Sequence, residues 1–328
     1  MPKKYLIIQT AFTGDVILAT ALVEKLIGAE PDAVIDMLVR KGNESLLNGH
    51  PHLKQTMVWN KNENKYGGLL NLVKEIRANK YDEVINVQRF ATTGLITAFS
   101  GAKVKRGFSK NPFSFLFTMR FEHTVENGMQ ETERNQLLLS GLTDSVAAKP
   151  KVYPSTGDFE KIQSLAEKKF ITIAPGSVWF TKTFPAYKWV ELIQQILQSN
   201  SSISIYLIGA PNEKEECEQI KNKTNSSLVI NLAGQLSLLQ SAALMSRSMM
   251  NYTNDSAPLH LASAMNAPVT AVYCSTVPLF GFGPLSDVSK VVQTRLDLPC
   301  RPCGLHGYRN CPLIHFKCAH SIEITNLL

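Results

Sequence analysis

Residues 4–26 read KYLIIQTAFTGDVILATALVEKL, which is a short apolar run, a turn around Gly14 and a longer apolar segment. The run from Lys4 to Thr10 is rich in β-branched and aromatic side chains and predicts a buried strand. Between Asp15 and Leu26 the apolar residues recur at helical spacing, which predicts a helix. A strand followed at once by a helix begins a βαβ unit, so this region predicts a mainly parallel sheet.

The same alternation continues along the chain and restarts once. Predicted strands at 34–39 and 84–87 alternate with predicted helices at 69–78, 92–99 and 130–142. After a loop-rich segment at 143–157, strands are predicted at 170–174, 203–208, 228–232, 249–253 and 269–273, and helices at 158–168, 187–198, 213–223, 237–245 and 258–265. We therefore predict an α/β protein of two doubly wound, Rossmann-like domains, residues 1–155 and 156–328, facing a central cleft. Ligands of such sheets bind beyond the carboxyl ends of the strands.

The composition is that of a globular protein with an excess of basic residues. Of 328 residues, 44% are hydrophobic, and 34 Lys and Arg against 27 Asp and Glu give a net charge of +7. This surplus suits nucleic acid, an anionic membrane surface or a phosphorylated substrate. No apolar run reaches the roughly 18 residues of a membrane-spanning helix, and the run after Lys4 is too short for a signal peptide. We therefore expect a cytoplasmic protein whose six cysteines are reduced.

Asp15 lies at the start of the first predicted helix, just beyond the first predicted strand. It either caps that helix, as carboxylates commonly do, or serves as a catalytic base. The single Gly14 is not the G-x-G-x-x-G fingerprint of a dinucleotide site, and the chain has no G-x-x-x-x-G-K-[ST] phosphate loop. The turn therefore indicates a carboxylate at a ligand-binding edge, not a nicotinamide site.

A second loop of interest is APGSVWFTKTFP, residues 174–185, which follows the first strand of the second series. Gly176 allows a ligand to approach the backbone closely, and Ser177 offers a hydroxyl group. Lys182 is either a solvated surface lysine or a cation that binds phosphate.

A third segment, TNDSAPLHLA at 253–262, has the residues of a helix N-terminus. Asn254 to Ser256 are of the types that cap helices, and Pro258 suits the first helical turn. The free amide groups at such an end attract anions. His260, one turn into the helix, either faces the same ligand or packs in the core.

The C-terminal tail contains Cys300-x2-Cys303-x7-Cys311-x6-Cys318 with interleaved histidines. A Cys-x2-Cys pair with further cysteines and histidines can bind zinc, but these gaps differ from the usual paired spacings. The sequence leaves open either a zinc site or a packed cluster of reduced thiols.

Taken together and in this order, the motifs resemble glycosyltransferase family 9, the lipopolysaccharide heptosyltransferases, over nearly the whole chain. The resemblance is carried by GDVI at 14–17, GAKVKRGF at 101–108, PGS-x4-K-x-FP at 175–185, NLAGQLS at 231–237 and NDS-x-P-x-HLA at 254–262. The Cys-rich tail is similar to that of many members resembling heptosyltransferase II.

Membership implies a GT-B fold and an inverting transfer of a heptose from ADP-heptose to a lipopolysaccharide inner-core acceptor. By position, the resemblance implies that Asp15 is the general base, that Ser177 and Lys182 bind the donor diphosphate, and that Asp255, Ser256 and His260 hold the nucleotide-sugar. The chain has no Asp-x-Asp pair, so no cofactor is expected to be required, although magnesium could assist.

One departure from the family pattern is Ala257, where the family usually has glycine. An added methyl group there puts the identity of the donor in question more than the fold. The alternatives are a family member that uses another nucleotide-sugar and a non-catalytic GT-B protein that serves as a scaffold.

The positive charge is concentrated in one segment, because no Asp or Glu occurs from Val84 to Phe121. Its six basic residues are Arg89, Lys103, Lys105, Arg106, Lys110 and Arg120, and it also contains seven phenylalanines. These are either core rings with solvated cations or a surface for an anionic lipid. We expect Arg89, Lys103, Lys105 and Arg106 to bind a phosphorylated glycolipid acceptor, with the protein peripheral at the inner face of the inner membrane. No nucleic-acid partner is expected, since the chain has neither a stacked-aromatic module nor a helix-turn-helix.

Overall fold

A computed structural model describes residues 2–61, 65–125 and 127–328, without the side chains of Lys65 and Tyr66. The chain divides into two units, Met1–Tyr153 and Pro154–Leu328. The boundary predicted after residue 155 lies two residues beyond this division. Within the described residues, no helix is both long and apolar enough to cross a membrane.

The first unit is built on a sheet of six parallel strands in the order β3-β2-β1-β4-β5-β6. Strands β1 to β6 are Lys4–Ile8, Val34–Arg40, Gln55–Trp59, Glu83–Asn86, Val104–Phe108 and Met119–Phe121. Helices α1 to α4 are Thr13–Ala29, Lys65–Asn79, Ala91–Ala98 and Glu131–Gln136. On one face, β1 contributes Leu6 and Ile8 to a buried cluster with Ile76 of α2 and Ile96 of α3.

The second unit repeats this arrangement, with the strand order β12-β11-β10-β7-β8-β9. Strands β7 to β12 are Phe170–Ala174, Ser204–Leu207, Val229–Asn231, Asn251–Asn254, Val269–Tyr273 and Ser289–Gln293. Helices α5 to α10 are Thr156–Lys161, Ala186–Ser199, Lys214–Thr224, Leu238–Arg247, Ala257–Ala264 and Lys317–His320. The end of the tail joins the core of this unit through Phe316, Cys318 and Ile322.

Both sheets have the strand order of a doubly wound nucleotide-binding sheet, in which the order of successive strands reverses between the two central strands. The predicted fold class, α/β with two Rossmann-like domains, is therefore confirmed. At that point in the first unit, the carboxyl ends of β1 and β4 lie next to each other. In the second unit, the carboxyl ends of β7 and β10 do the same.

Four strands, β3, β5, β6 and β12, lie outside the predicted elements. Three of them are edge strands, and the edge position leaves many of their residues exposed, so their apolar pattern is weak. The fourth, β5, has the sequence VKRGF, in which two cationic residues interrupt the apolar pattern by which a strand is predicted. The helix predicted at 130–142 is also too long, because α4 ends at Gln136 and a 3-10 turn follows.

Candidate active site

Asp15 lies in the first turn of α1, directly beyond the carboxyl end of β1. Its Oδ2 accepts a hydrogen bond of 3.2 Å from the backbone N–H of Phe12, the residue at the N-cap position. The carboxylate therefore does cap the helix. A carboxylate has two oxygens and several lone pairs, so capping is compatible with accepting a proton from a bound hydroxyl group.

The loop that carries Asp15 is held by side chains from neighbouring strands. Asn43, 2% exposed, donates from Nδ2 to the Ala11 carbonyl and accepts from the Thr13 hydroxyl, each at 3.0 Å. Gln9 accepts from the Ala11 N–H and from the buried amide of Gln88. Sequence reasoning missed these amides, since Asn43 and Gln88 follow other strands and no local pattern links them to the loop.

In the second unit, Lys182 and Asp255 form a buried ion pair at the carboxyl ends of β7 and β10. Lys182 Nζ lies 2.7 Å from Asp255 Oδ2, and the two side chains are 15% and 6% exposed. The same oxygen accepts a 2.6 Å hydrogen bond from the Thr276 hydroxyl. The interpretation of Lys182 as a solvated surface lysine is therefore wrong. An ammonium has three N–H donors, so the pair leaves donors for a phosphate oxygen.

Asn254 connects the two loops that carry this pair. Its Oδ1 accepts from the Phe184 N–H at 3.0 Å, and its Nδ2 donates to the Pro175 carbonyl at 2.6 Å. The side chain is fully buried, so these bonds form away from competing water. The sequence indicated a helix-capping residue here, whereas in the structure the Asn254 side chain hydrogen-bonds both ends of the segment 175–184.

The helix predicted after Asp255 is α9, which begins at Ala257 with Ser256 as its N-cap residue and Pro258 in its first turn. The Ser256 hydroxyl is 3.5 Å from the Asn254 carbonyl and does not cap the helix. His260 is 5% exposed, and its ring centroid lies 6.4 Å from that of Phe282. The structure therefore places Asp255 and Ser256 immediately before α9 and His260 in its first turn.

A residue missed by sequence reasoning is Glu213, at the carboxyl end of β8. Its carboxylate occupies the space that side chains at Gly176 and Gly209 would fill, and Oε2 accepts 2.7 Å from the Ala210 N–H. Burial raises the pKa of this carboxyl group. The signal in the sequence was the pair of strand-end glycines, which marks a place where something approaches the backbone closely.

Ser177 lines a pocket of about 800 Å³ in the second unit, together with Phe180, Tyr187, Cys311, Phe316 and His320. The tail packs at Gly307 against the loop that carries Lys182. A Cβ atom added to Gly307 would lie 2.8 Å from the Thr181 hydroxyl and 3.1 Å from Lys182 Cγ. Thr181 also accepts from the Tyr308 N–H at 2.7 Å. The Cys-rich tail thus packs directly against the residues that position Lys182.

The tail cysteines have free thiols, and Cys300 Sγ lies 4.0 Å from His315 Nε2. Burial raises the pKa of Cys318 to about 11, with neighbouring thiols adding to the effect. Across residues 2–61, 65–125 and 127–328, no three His, Cys, Asp or Glu side chains are grouped so that they could hold a metal ion. Cys318 is buried in the core of the second unit, while Cys300, Cys303 and Cys311 are partly exposed. The zinc site and the packed thiol cluster both stay predictions.

Arg106 is not at a ligand-binding surface, so the prediction that it binds the acceptor is wrong. It is 5% exposed, and its Nε donates to Glu83 Oε2 at 2.6 Å. Its Nη1 donates to the carbonyls of Leu138 and Ser140. A buried guanidinium needs a carboxylate and carbonyl acceptors, and here it has both.

Replacing Arg106 with methionine should lower the free energy of unfolding by about 3–5 kcal/mol, because Glu83 would stay buried without its counterion. The measurement is urea denaturation. Lys103→Met is the matched control, since Lys103 lies 3.5 Å from Asp82 but is 84% exposed. That change should cost less than about 1 kcal/mol. Unchanged stability of the Arg106 variant, with weakened acceptor binding, would restore the assignment made from sequence.

The structure does not bring the other predicted acceptor residues to one place. Arg89 follows the carboxyl end of β4, at the same edge of the sheet as Asp15. Lys103 precedes β5 and lies beside Asp82, at the amino edge. Lys105 is the second residue of β5 and is half-buried.

Two doubly wound sheets, one with a carboxylate beyond a central strand and the other with a lysine–aspartate pair at the strand ends, fit the GT-B fold that the sequence predicts. The family model for glycosyltransferase family 9 (heptosyltransferase) matches residues 69–310. The chain belongs to glycosyltransferase family 9, and it is a glycosyltransferase enzyme.

Individual relatives are distant but similar over most of their length. The chain is 24% identical to lipopolysaccharide heptosyltransferase 3 of Escherichia coli K12, over 82% of each chain. Among solved structures, a family 9 glycosyl transferase from Veillonella parvula has a TM-score of 0.79 at 22% identity, covering 88% of this chain and 85% of that one. The E. coli ADP-heptose lipopolysaccharide heptosyltransferase II has a TM-score of 0.78 at 23% identity, covering 93% and 92%.

Proposed function

We propose that this enzyme transfers a heptose from ADP-heptose to the inner core of lipopolysaccharide, with inversion at the anomeric carbon. The names of the distant relatives support this donor and this acceptor. The observation that supports the proposal most strongly is the Lys182–Asp255 pair, which holds a cation at the strand ends where the diphosphate is proposed to bind.

In the proposed reaction, Asp15 takes the proton of the acceptor hydroxyl group. The hydroxyl oxygen then forms a bond to the anomeric carbon as the bond from that carbon to the phosphate oxygen breaks. ADP leaves with the electron pair of the broken bond. The transition state is oxocarbenium-like, as in other reactions at an anomeric carbon.

The second unit is proposed to bind the donor. Ser177 and Lys182 bind the diphosphate, while Ser256 and His260 hold the nucleotide-sugar at the start of α9. Asp255 contributes by keeping the ammonium of Lys182 in place, as their 2.7 Å contact supports. With this fixed cation, transfer is proposed to require no cofactor, and magnesium could still assist.

The first unit is proposed to bind the phosphorylated glycolipid. Arg89 is at the edge of the sheet that carries Asp15 and would contact the sugar end. Lys103 and Lys105 are nearer the opposite edge and would meet phosphates on the lipid side. This division fits an acceptor long enough to extend along the sheet. The enzyme is accordingly proposed to be cytoplasmic and peripheral at the inner face of the inner membrane.

A screen of donor binding tests the proposed function. ADP-heptose should bind at least about fivefold more tightly than UDP- and GDP-sugars, by calorimetry, since a missing hydrogen bond costs about 1 kcal/mol or more. The second candidate, a family member with another donor, is favoured by Ala257, whose methyl group stands at the first position of α9. Tighter binding of a different nucleotide-sugar would establish that candidate instead.

A further inference from the structure

We propose that one edge of the first sheet docks on the surface of an anionic phospholipid bilayer. The docking edge consists of Phe115, Leu116 and Met119 with the cations Lys110 and Arg120. It deepens the proposed function, which supplies the lipid-linked acceptor.

The apolar part of the docking edge is unusually exposed. Phe115 is 68% exposed, Leu116 is 43% exposed and Met119 is 36% exposed. The first two belong to a 3-10 turn, Ser114–Leu116, in which no residue is buried. The third begins β6, the edge strand of the sheet. Large apolar side chains that are exposed this close together in the sequence favour an interaction surface.

The outward position of these side chains is fixed by the residues around them. The ring of Phe117 packs where a side chain at Gly107 would lie, and it is 7% exposed. Thr118 is joined to Lys105 by two backbone–hydroxyl bonds of 2.6 and 3.0 Å. Phe117 and Thr118 therefore anchor the chain immediately after the exposed turn.

The charge of the docking edge matches an anionic surface. Lys110 and Arg120 are exposed, and neither has an ion-pair partner among the described residues. No Asp or Glu occurs anywhere from Val84 to Phe121. Lysines often protect sheet edges from pairing, which accounts for cations but not for an exposed phenylalanine and leucine beside them. Aromatic rings at headgroup level, with cations that contact phosphates, account for both.

The direct test is sedimentation of the full-length protein with lipid vesicles that contain no acceptor. The wild type should bind vesicles of about 3:1 phosphatidylcholine and phosphatidylglycerol and bind pure phosphatidylcholine far more weakly. Lys110→Gln/Arg120→Gln should weaken binding to the anionic vesicles about 25-fold, at about fivefold for each cation. Phe115→Ser/Leu116→Ser should weaken it by at least about tenfold.

Lys168→Gln/Lys223→Gln is the matched control, because it removes two exposed cations from the second unit. It should bind the anionic vesicles like the wild type. An equal loss in this control would overturn the proposal, since net charge alone would then explain binding. Unchanged binding to anionic vesicles by both docking-edge variants would also overturn it. The same holds for a concentration-dependent dimer of the wild type that these variants abolish.

A second readout separates this inference from the proposed function. With a soluble, delipidated acceptor, the docking-edge variants should transfer sugar at the wild-type rate, and with acceptor in anionic vesicles they should be slower. A wild type that binds vesicles but transfers no heptose would refute the proposed function and leave the docking edge standing. A wild type that transfers heptose but ignores anionic vesicles would refute the docking edge alone.

Discussion

The variant Asp15→Asn is expected to lower the kcat of sugar transfer by about 10²–10⁴-fold, the usual contribution of a general base. Asparagine has nearly the shape of aspartate, and its side-chain oxygen can still accept from the Phe12 N–H, as Oδ2 does at 3.2 Å. The helix cap should therefore survive while the ability to take up a proton is lost. Steady-state kinetics with donor and acceptor, together with thermal unfolding, measure the two effects separately.

Asp158→Asn is a matched control for the Asp15 variant. Asp158 occupies the corresponding position of α5, where Oδ2 accepts from the Ser155 N–H at 2.8 Å. It caps a helix in the same way and is not among the residues assigned to the reaction. We expect its kcat to match that of the wild type. If Asp15→Asn retained wild-type turnover, Asp15 would be only a cap and the base would have to be sought elsewhere.

Loss of Lys182 should have the other large effect. We expect Lys182→Met to lower kcat by about 10²–10³-fold, since the charge that develops on the leaving diphosphate would lose a preorganised donor. The same change leaves Asp255 buried with the Thr276 hydroxyl as its 2.6 Å neighbour. Removing one partner of a buried pair should lower the free energy of unfolding by about 3–5 kcal/mol. Kinetics and urea denaturation measure the two losses.

A double variant distinguishes the catalytic role of Lys182 from its structural one. Lys182→Met/Asp255→Leu replaces both charges with apolar groups, which often restores or increases stability. We expect it to recover most of the unfolding free energy while transfer remains as slow as in Lys182→Met. Recovery of transfer along with stability would show that Lys182 serves the fold and not the diphosphate.

Much of the fold follows from local sequence because strands and helices have different apolar periods. The run Lys4–Thr10 and the helical spacing after Asp15 identified β1 and α1, and the restart after residue 157 identified the second series. Loops at strand ends then indicated Lys182 and the start of α9, since such loops converge in any doubly wound sheet. The edge strands were not predicted, because exposure on both sides removes the apolar alternation of their residues.

The sequence alone was therefore enough to predict the two parallel sheets, their domain order and the loops that carry the proposed ligand-binding residues. Only the tertiary structure decided what each charged side chain does. Arg106 belongs to the interior because Glu83 faces it across neighbouring strands, and Lys182 is fixed because Asp255 meets it. Asn254 and Pro175 are 79 positions apart, yet they share a hydrogen bond. Periodicity reports only which face of its own element a residue occupies, whereas ion pairs and clamps depend on which strands become neighbours after the chain has crossed the sheet.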